Sequence, residues 1–204
     1  MSVDERREEL IAAALELFSR RSPEEISIDD VALAAGASRA LVYHYFGGKQ
    51  ELYLAALDSA ARQLDGLLEP PAEGRPLELL ATALHRYFDF VEDHAAGFVA
   101  LLRHGPGYRA GELGETVESV RTMILDRILG TMGVREPRPI LRITLRSWMA
   151  SVETAALDWL ENRDIPRSEL EQLLIDHQVV LLRVAGAHDP EVGTLLSRLS
   201  DEGS

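Results

Sequence analysis

The sequence predicts an all-α fold. Apolar residues recur three and four apart through nearly every segment, no stretch shows the strict alternation of a half-buried strand, and Ser, Gly and Pro stand where helices start and stop. The 204 residues are 46% hydrophobic and 27% charged, ordinary globular composition with room for a sizeable core in two parts.

Each element has its own warrant. Leu10, Ile11, Ala14, Leu17 and Phe18 place one apolar stripe on a first helix over residues 4–20. Ser27 and Ser38 can each accept a hydrogen bond from a free N–H in the first turn of the helix that follows, and Asp29 and Asp30 favour the positive end of the first of these. Ile28, Val31, Ala32 and Ala35 keep helical spacing, and Gly36 sits where a helix stop needs a positive φ. The next helix runs from Arg39 to Phe46 and buries Val42 and Phe46, leaving Arg39, Ala40, Tyr43 and His44 outward. Two short capped helices joined by a glycine turn are a helix-turn-helix signature, and the outward residues are the ones that would meet DNA. Gly47 and Gly48 break the chain before residues 50–68 resume the period through Leu52, Ala55, Ala56, Ala60, Leu64 and Leu67. Three prolines and a glycine in residues 70–76 form the clearest linker. Beyond it, helices are expected at 77–93, 96–104, 112–131, 138–162 and 167–186, with a short tail helix near 190–199.

The N-terminal stretch resembles the DNA-binding domain of the TetR family of transcriptional regulators. The recognition-helix region of that family commonly reads Ala-Gly-Val-Ser, four variable residues, then Tyr and an aromatic pair before Lys. Here it is Ala35-Gly36-Ala37-Ser38 through Tyr43-His44-Tyr45-Phe46 to Lys49, with matches upstream at Arg7, Ile11, Ala14, Leu17 and Phe18 and downstream from Leu52 to Leu57. Leu41 departs from the pattern, because relatives often carry a small or hydroxyl residue there, so base preference does not carry over. The resemblance implies a reading head over residues 1–48 and a helical ligand-sensing and dimerisation domain over 49–204, about nine helices in all. It also implies phosphate contacts from Tyr43, His44 and Lys49. Ser27 and Ser38 can donate to the DNA backbone as well as cap. Arg39 is the first candidate for base readout, since a guanidinium pairs with guanine O6 and N7, and Leu41 can touch a thymine methyl. Either Tyr43 or Tyr45 can instead plug the core.

The two long helices after residue 138 are apolar on two sides, and a helix of that kind must bury both. In the first, Leu141, Leu145, Trp148, Val152, Ala155 and Trp159 form one stripe, and Ile143, Ser147, Ala150, Thr154 and Leu157 a second with smaller members. In the next, Leu170, Leu173, Leu174, His177, Leu181 and Val184 line one side and Ile175, Val179 and Leu182 another. One side can face its own domain; the other faces a partner subunit in the four-helix dimer interface that the resemblance implies, or the interior of a larger monomeric core. Ile143, Ser147, Ala150, Thr154, Leu170, Leu173, Leu174, His177, Leu181 and Val184 are the interface candidates. A two-fold dimer would present two recognition helices to successive major-groove faces about 34–36 Å apart or further, so the operator is expected to be an inverted repeat.

Residues 77–160 hold groups suited to a small-molecule pocket: His85, Phe88, Phe98, Leu102, Arg103, Tyr108, Met123, Trp148 and Met149. Apolar residues at helical spacing are more often plain core. Arg103, His104 and Arg121 raise the idea of an acidic lipid-like ligand such as an acyl thioester, against the plainer reading that arginines on helices are solvated or paired with a carboxylate such as Glu118.

Charge and composition narrow the classes. The net charge of −13 argues against non-specific coating of nucleic acid, and residues 1–50 carry six Lys and Arg against nine Asp and Glu. A head of this kind works through a local footprint of hydroxyls and a few cations. The absence of cysteine excludes disulfides and thiolate metal sites. The first residues lack the apolar core of a signal peptide and no apolar run reaches the length that spans a bilayer, so a cytoplasmic protein is expected. No catalytic constellation, phosphate loop, nucleophile motif or metal motif stands out, so neither an enzyme, a cofactor nor a metal is expected. The expected function is a sequence-specific regulator, a repressor released from a palindromic operator by a small, largely apolar molecule. The alternative is an activator, or a regulator with no small-molecule ligand.

Overall fold

A computed structural model describes residues 3–71, 73–103 and 111–201. The described residues form ten α-helices and no strand, so the chain is all-α as the spacing predicts. They are α1 (Val3–Arg20), α2 (Ile28–Ala34), α3 (Arg39–Tyr45), α4 (Lys49–Leu67), α5 (Pro76–Asp93), α6 (Ala95–Arg103), α7 (Glu112–Thr131), α8 (Pro139–Asn162), α9 (Arg167–His188) and α10 (Pro190–Asp201). A 3-10 turn at Pro23–Glu25, with Pro23 buried, joins α1 to α2. It is too short to leave a period in the sequence.

The chain divides into two compact units, Met1–Gly66 with Phe90–Val120 and Leu67–Asp89 with Arg121–Ser204. In the first, Leu10, Ile11, Ala14 and Phe18 of α1 are almost fully buried with Val31 of α2, Val42 of α3, Phe46 just past its end, and Leu52 of α4. Phe18 meets Tyr53 edge-on at 4.9 Å between ring centres. Gly97 lets α6 approach the α1 backbone: a Cβ there would lie 3.0 Å from the Phe18 carbonyl oxygen.

In the second unit, α8 buries Leu141, Leu145, Trp148, Met149, Val152, Ala156 and Trp159. The Trp148 indole donates to the Leu174 carbonyl at 2.8 Å, tying α8 to α9, and that of Trp159 donates to Ile165 at 3.0 Å across the connecting turn. Arg121 makes a two-pronged pair with Glu153, Nε to Oε1 at 2.8 Å and Nη2 to Oε2 at 2.5 Å. Burial first, and then the Glu153 charge, push the Tyr87 phenol far above its ordinary range. The linker into α5 is held by Arg86, whose Nη1 donates to the carbonyls of Leu67 and Glu69 at 3.1 and 2.9 Å.

The second face of α8 points outward. Ile143 is 58% exposed, and Ser147, Ala150 and Thr154 are exposed beside it. On α9 the expected stripe separates into two. Leu170 and Leu174 are only 5% and 4% exposed and face inward with Gln178 and Ala185. They are therefore corrected from interface candidates to core residues. Leu173, His177 and Val184 face outward with Val180, and Leu181 is half-buried between the faces. The physical reason is the period: positions 170, 174, 178 and 185 share one side of a 3.6-residue helix and 173, 177, 180 and 184 another.

Candidate nucleic-acid interface

Local chemistry builds the reading head. The Ser27 hydroxyl accepts from the Asp30 N–H at 3.1 Å while the Asp30 carboxylate accepts from the Ser27 N–H at 2.8 Å, a reciprocal capping box that starts α2. The Ser27 hydroxyl also donates to Asp30 Oδ2 at 2.6 Å. These hydrogen bonds hold the Asp30 carboxyl below the usual carboxylate range. The helix ends in a Schellman motif: Ala37 N–H reaches the Ala32 carbonyl at 2.8 Å, Gly36 N–H reaches Leu33 at 3.2 Å, and Gly36 has φ +57°, a left-handed conformation that an added Cβ disfavours. Ser38 then caps α3, accepting from the Leu41 N–H at 3.2 Å. Two α1 arginines hold this pair of helices, one at the turn and one at the end of α3. Arg6 donates to the Gly36 carbonyl at 3.0 Å, and the Arg7 guanidinium lies 5.2 Å from the centre of the Phe46 ring.

Val42 and Phe46 anchor α3 in the core, which turns Arg39, Ala40, Tyr43 and His44 to the surface and leaves Leu41 partly covered. Ser27 and Ser38 are exposed as well. Arg39 is held in place rather than waving free. Its Nη1 donates to Asp29 Oδ2 at 2.8 Å, and its guanidinium lies 5.5 Å from the centre of the Tyr43 ring. The hydrogen bond with Tyr43 and then the charge of Asp29 raise its pKa further. His44 meets Tyr45 edge-on at 5.3 Å, and Tyr45 is half-buried while Tyr43 is 46% exposed. Lys49 is half-buried at the start of α4, its Nζ 3.5 Å from the Glu24 carbonyl oxygen.

The sequence reading missed three features of this surface. Asp29, favourable to the helix end by sequence alone, also fixes Arg39, ten residues away. Arg6 was not singled out, although it holds the turn. Leu33 is 83% exposed, a large apolar side chain on the outward side of α2, opposite the Ile28, Val31 and Ala32 stripe that could have revealed it.

The described residues among the expected ligand set fall in both units. Phe88, Trp148 and Met149 are core residues, Phe88 edge-on to Trp159 at 5.8 Å. Met123 is half-buried in the same unit, and Phe98 and Leu102 are half-buried in the other. His85 belongs to a charged cluster: its Nδ1 lies 3.2 Å from Glu171 Oε1, and Arg167 bridges Glu171 at 2.6 Å and Asp89 at 2.7 Å. The Arg103 side chain, His104 and Tyr108 lie outside the described residues. Arg121 is bound to Glu153 rather than offered to an anion. Among the described residues, the second unit has a cavity of about 130 Å³ between α5, α7, α9 and α10, lined by none of the expected residues. Among the described residues no group of His, Asp and Glu is placed to hold a metal, and no helix is long and apolar enough to cross a membrane.

Comparison with known proteins agrees with this architecture. Residues 10–56 match the family model described as bacterial regulatory proteins, tetR family, and residues 76–181 match the Tetracyclin repressor-like, C-terminal domain. The crystal structure of a tetR-family transcriptional regulator from Streptomyces coelicolor is 46% identical, covers 98% of this chain and 90% of its own, and superposes with a TM-score of 0.93. The HTH-type transcriptional activator FasR of Mycolicibacterium smegmatis is 35% identical over 102 residues, 47% of this chain and 44% of FasR. The HTH-type transcriptional regulator BetI of Brucella anthropi is 42% identical over 59 residues, 29% of this chain and 30% of BetI. This chain thus spans less than half the length of the curated relatives it matches. FadR from Bacillus subtilis in complex with stearoyl-CoA, at 17% identity and a TM-score of 0.64, covering 85% of this chain and 96% of its own, shares the fold alone. The matched models and relatives are regulators, not enzymes. The chain belongs to the TetR family of DNA-binding transcriptional regulators.

Proposed function

We propose that this chain is a cytoplasmic homodimeric repressor whose head, residues 1–48, reads an inverted-repeat operator, and whose remainder, residues 49–204, dimerises and senses a small, largely apolar molecule. The outward face of α3 carries the reading. Arg39 contacts guanine and Leu41 a thymine methyl; Tyr43, His44, Lys49, Ser27 and Ser38 contact phosphates, and Ala40 lets the helix approach the base edges. The outward apolar stripe of α8 and α9 supports the dimer: Ile143, Ala150, Leu173 and Val184, with Ser147, Thr154 and His177 among them, form a surface of the kind that a second copy covers.

Ligand binding weakens the operator complex only through differential affinity for two states. A coupling of about 1–3 kcal/mol changes operator affinity roughly 5–150-fold, enough to derepress a promoter. A second reading, activation, draws support from the similarity to FasR, a transcriptional activator. Selection of the purified protein on random duplex DNA at about physiological salt tests the reading head. Recovery of an inverted repeat is expected, and no enrichment refutes it. Transcription from a promoter carrying that site then gives the sign: loss of the protein raises output for a repressor and lowers it for an activator.

A further inference from the structure

On α9 the inward register runs Leu170, Leu174, Gln178, Ala185, so a primary amide occupies a position where its neighbours are hydrocarbon. Gln178 is 3% exposed, and its side-chain oxygen Oε1 has no hydrogen-bond partner. A buried carbonyl stripped of water and given nothing in return is a standing cost, and folded proteins retain few such groups without a use. Here the residue lines the cavity of about 130 Å³, whose other walls include Leu80, Ile124, Ile128 and Leu182. Leu77, 54% exposed, lies at its edge and marks the side open to solvent.

We propose that this cavity is a binding site for a small neutral molecule with an apolar body and one hydrogen-bond donor, held by donation of its O–H to Gln178 Oε1. The walls select hydrocarbon and the orphaned oxygen selects a donor. A carboxylate set against Oε1 would meet another acceptor, and a cation would find no carboxylate among the lining residues. An apolar cavity of 150 Å³ takes a benzene, so this one suits a body of about six heavy atoms, with any longer tail leaving past Leu77. Binding stands on the cavity and the orphaned oxygen; its regulatory meaning rests on the ligand-responsive reading above.

The test uses two isomers of equal size, 1-pentanol and methyl butyl ether, of which only the alcohol donates. Binding to the full chain is measured by titration calorimetry and by chemical-shift change, with wild type and Gln178→Leu. Wild type is expected to bind the alcohol about tenfold more tightly than the ether, because the ether leaves both oxygens without a donor. In Gln178→Leu that preference disappears, and the melting temperature rises because the orphaned group is gone, which also shows that the variant folds. Equal affinity of wild type for both isomers, or a preference that survives in Gln178→Leu, overturns the assignment. So does a cavity that takes neither isomer and holds water alone. Operator affinity with and without saturating alcohol is read separately: weakened binding supports the ligand-responsive reading, and unchanged binding counts against that reading while leaving the site in place.

Discussion

Gly193→Ala isolates one close helix crossing from ordinary helix propensity. Gly186 of α9 and Gly193 of α10 face each other so closely that a Cβ on residue 193 would lie 3.0 Å from the Gly186 carbonyl oxygen and 3.8 Å from its Cα. The obstacle is backbone, which cannot rotate aside as a side-chain end can, so the two helices must separate by a few tenths of an ångström. Overpacking of this kind costs about 1–3 kcal/mol, against a propensity gain for alanine of at most about 1 kcal/mol, smaller in the first turn of α10. The net expectation is destabilisation of about 1–2 kcal/mol. Gly130→Ala is the control, because Gly130 is also helical and nothing lies within 4 Å of its added Cβ. That change is expected to stabilise by about 0.5–1 kcal/mol. Urea unfolding at fixed protein concentration measures both, and with a slope of about 2 kcal/mol/M the midpoints of the two variants separate by roughly 1 M. If Gly193→Ala is as stable as Gly130→Ala, the crossing is not the constraint described.

Three further outcomes follow from the same geometry. Lys49→Ala weakens binding to all duplexes by a similar factor and lowers the salt slope by about 1, measured by titration at several salt concentrations. Glu153→Gln leaves the Arg121 guanidinium without its two-pronged partner; with the two side chains 19% and 21% exposed the cost is about 2–3 kcal/mol, below that of a fully buried pair, and replacing both by Leu recovers most of it in urea unfolding. The Asp30 carboxyl is held low by Ser27, so its contribution to α2 is present above the ordinary carboxylate range and is lost as pH falls through the depressed value. The stability gap between wild type and Asp30→Asn should therefore close on acidification, and a gap that persists at low pH contradicts this.

The helix-turn-helix was legible because its signals are local. Ser27, Ser38 and Gly36 act on neighbouring backbone, and the capping box and Schellman motif they make need no tertiary information. The two-faced character of α8 and α9 was legible from period, but the division of the faces on α9 was not, since Leu173 and Leu174 are equally apolar and differ by about 100° around the axis. The candidate ligand residues are hard to assign from sequence for a physical reason. Phe88 and Trp148 look alike in sequence whether they pack a core or line a cavity, and only the neighbours decide. Contacts distant in sequence were invisible: Asp29 with Arg39, Arg121 with Glu153, His85 with Glu171. Gln178 did leave a trace, a polar residue four positions after Leu174, masked by the apolar residues on both sides of α9.

Reselection of random duplex DNA with Arg39→Ala beside wild type tests most directly that α3 reads bases. The account predicts that the variant recovers half-sites with the same spacing and two-fold symmetry but without preference at one guanine step in each. Recovery of the wild-type site unchanged would contradict it.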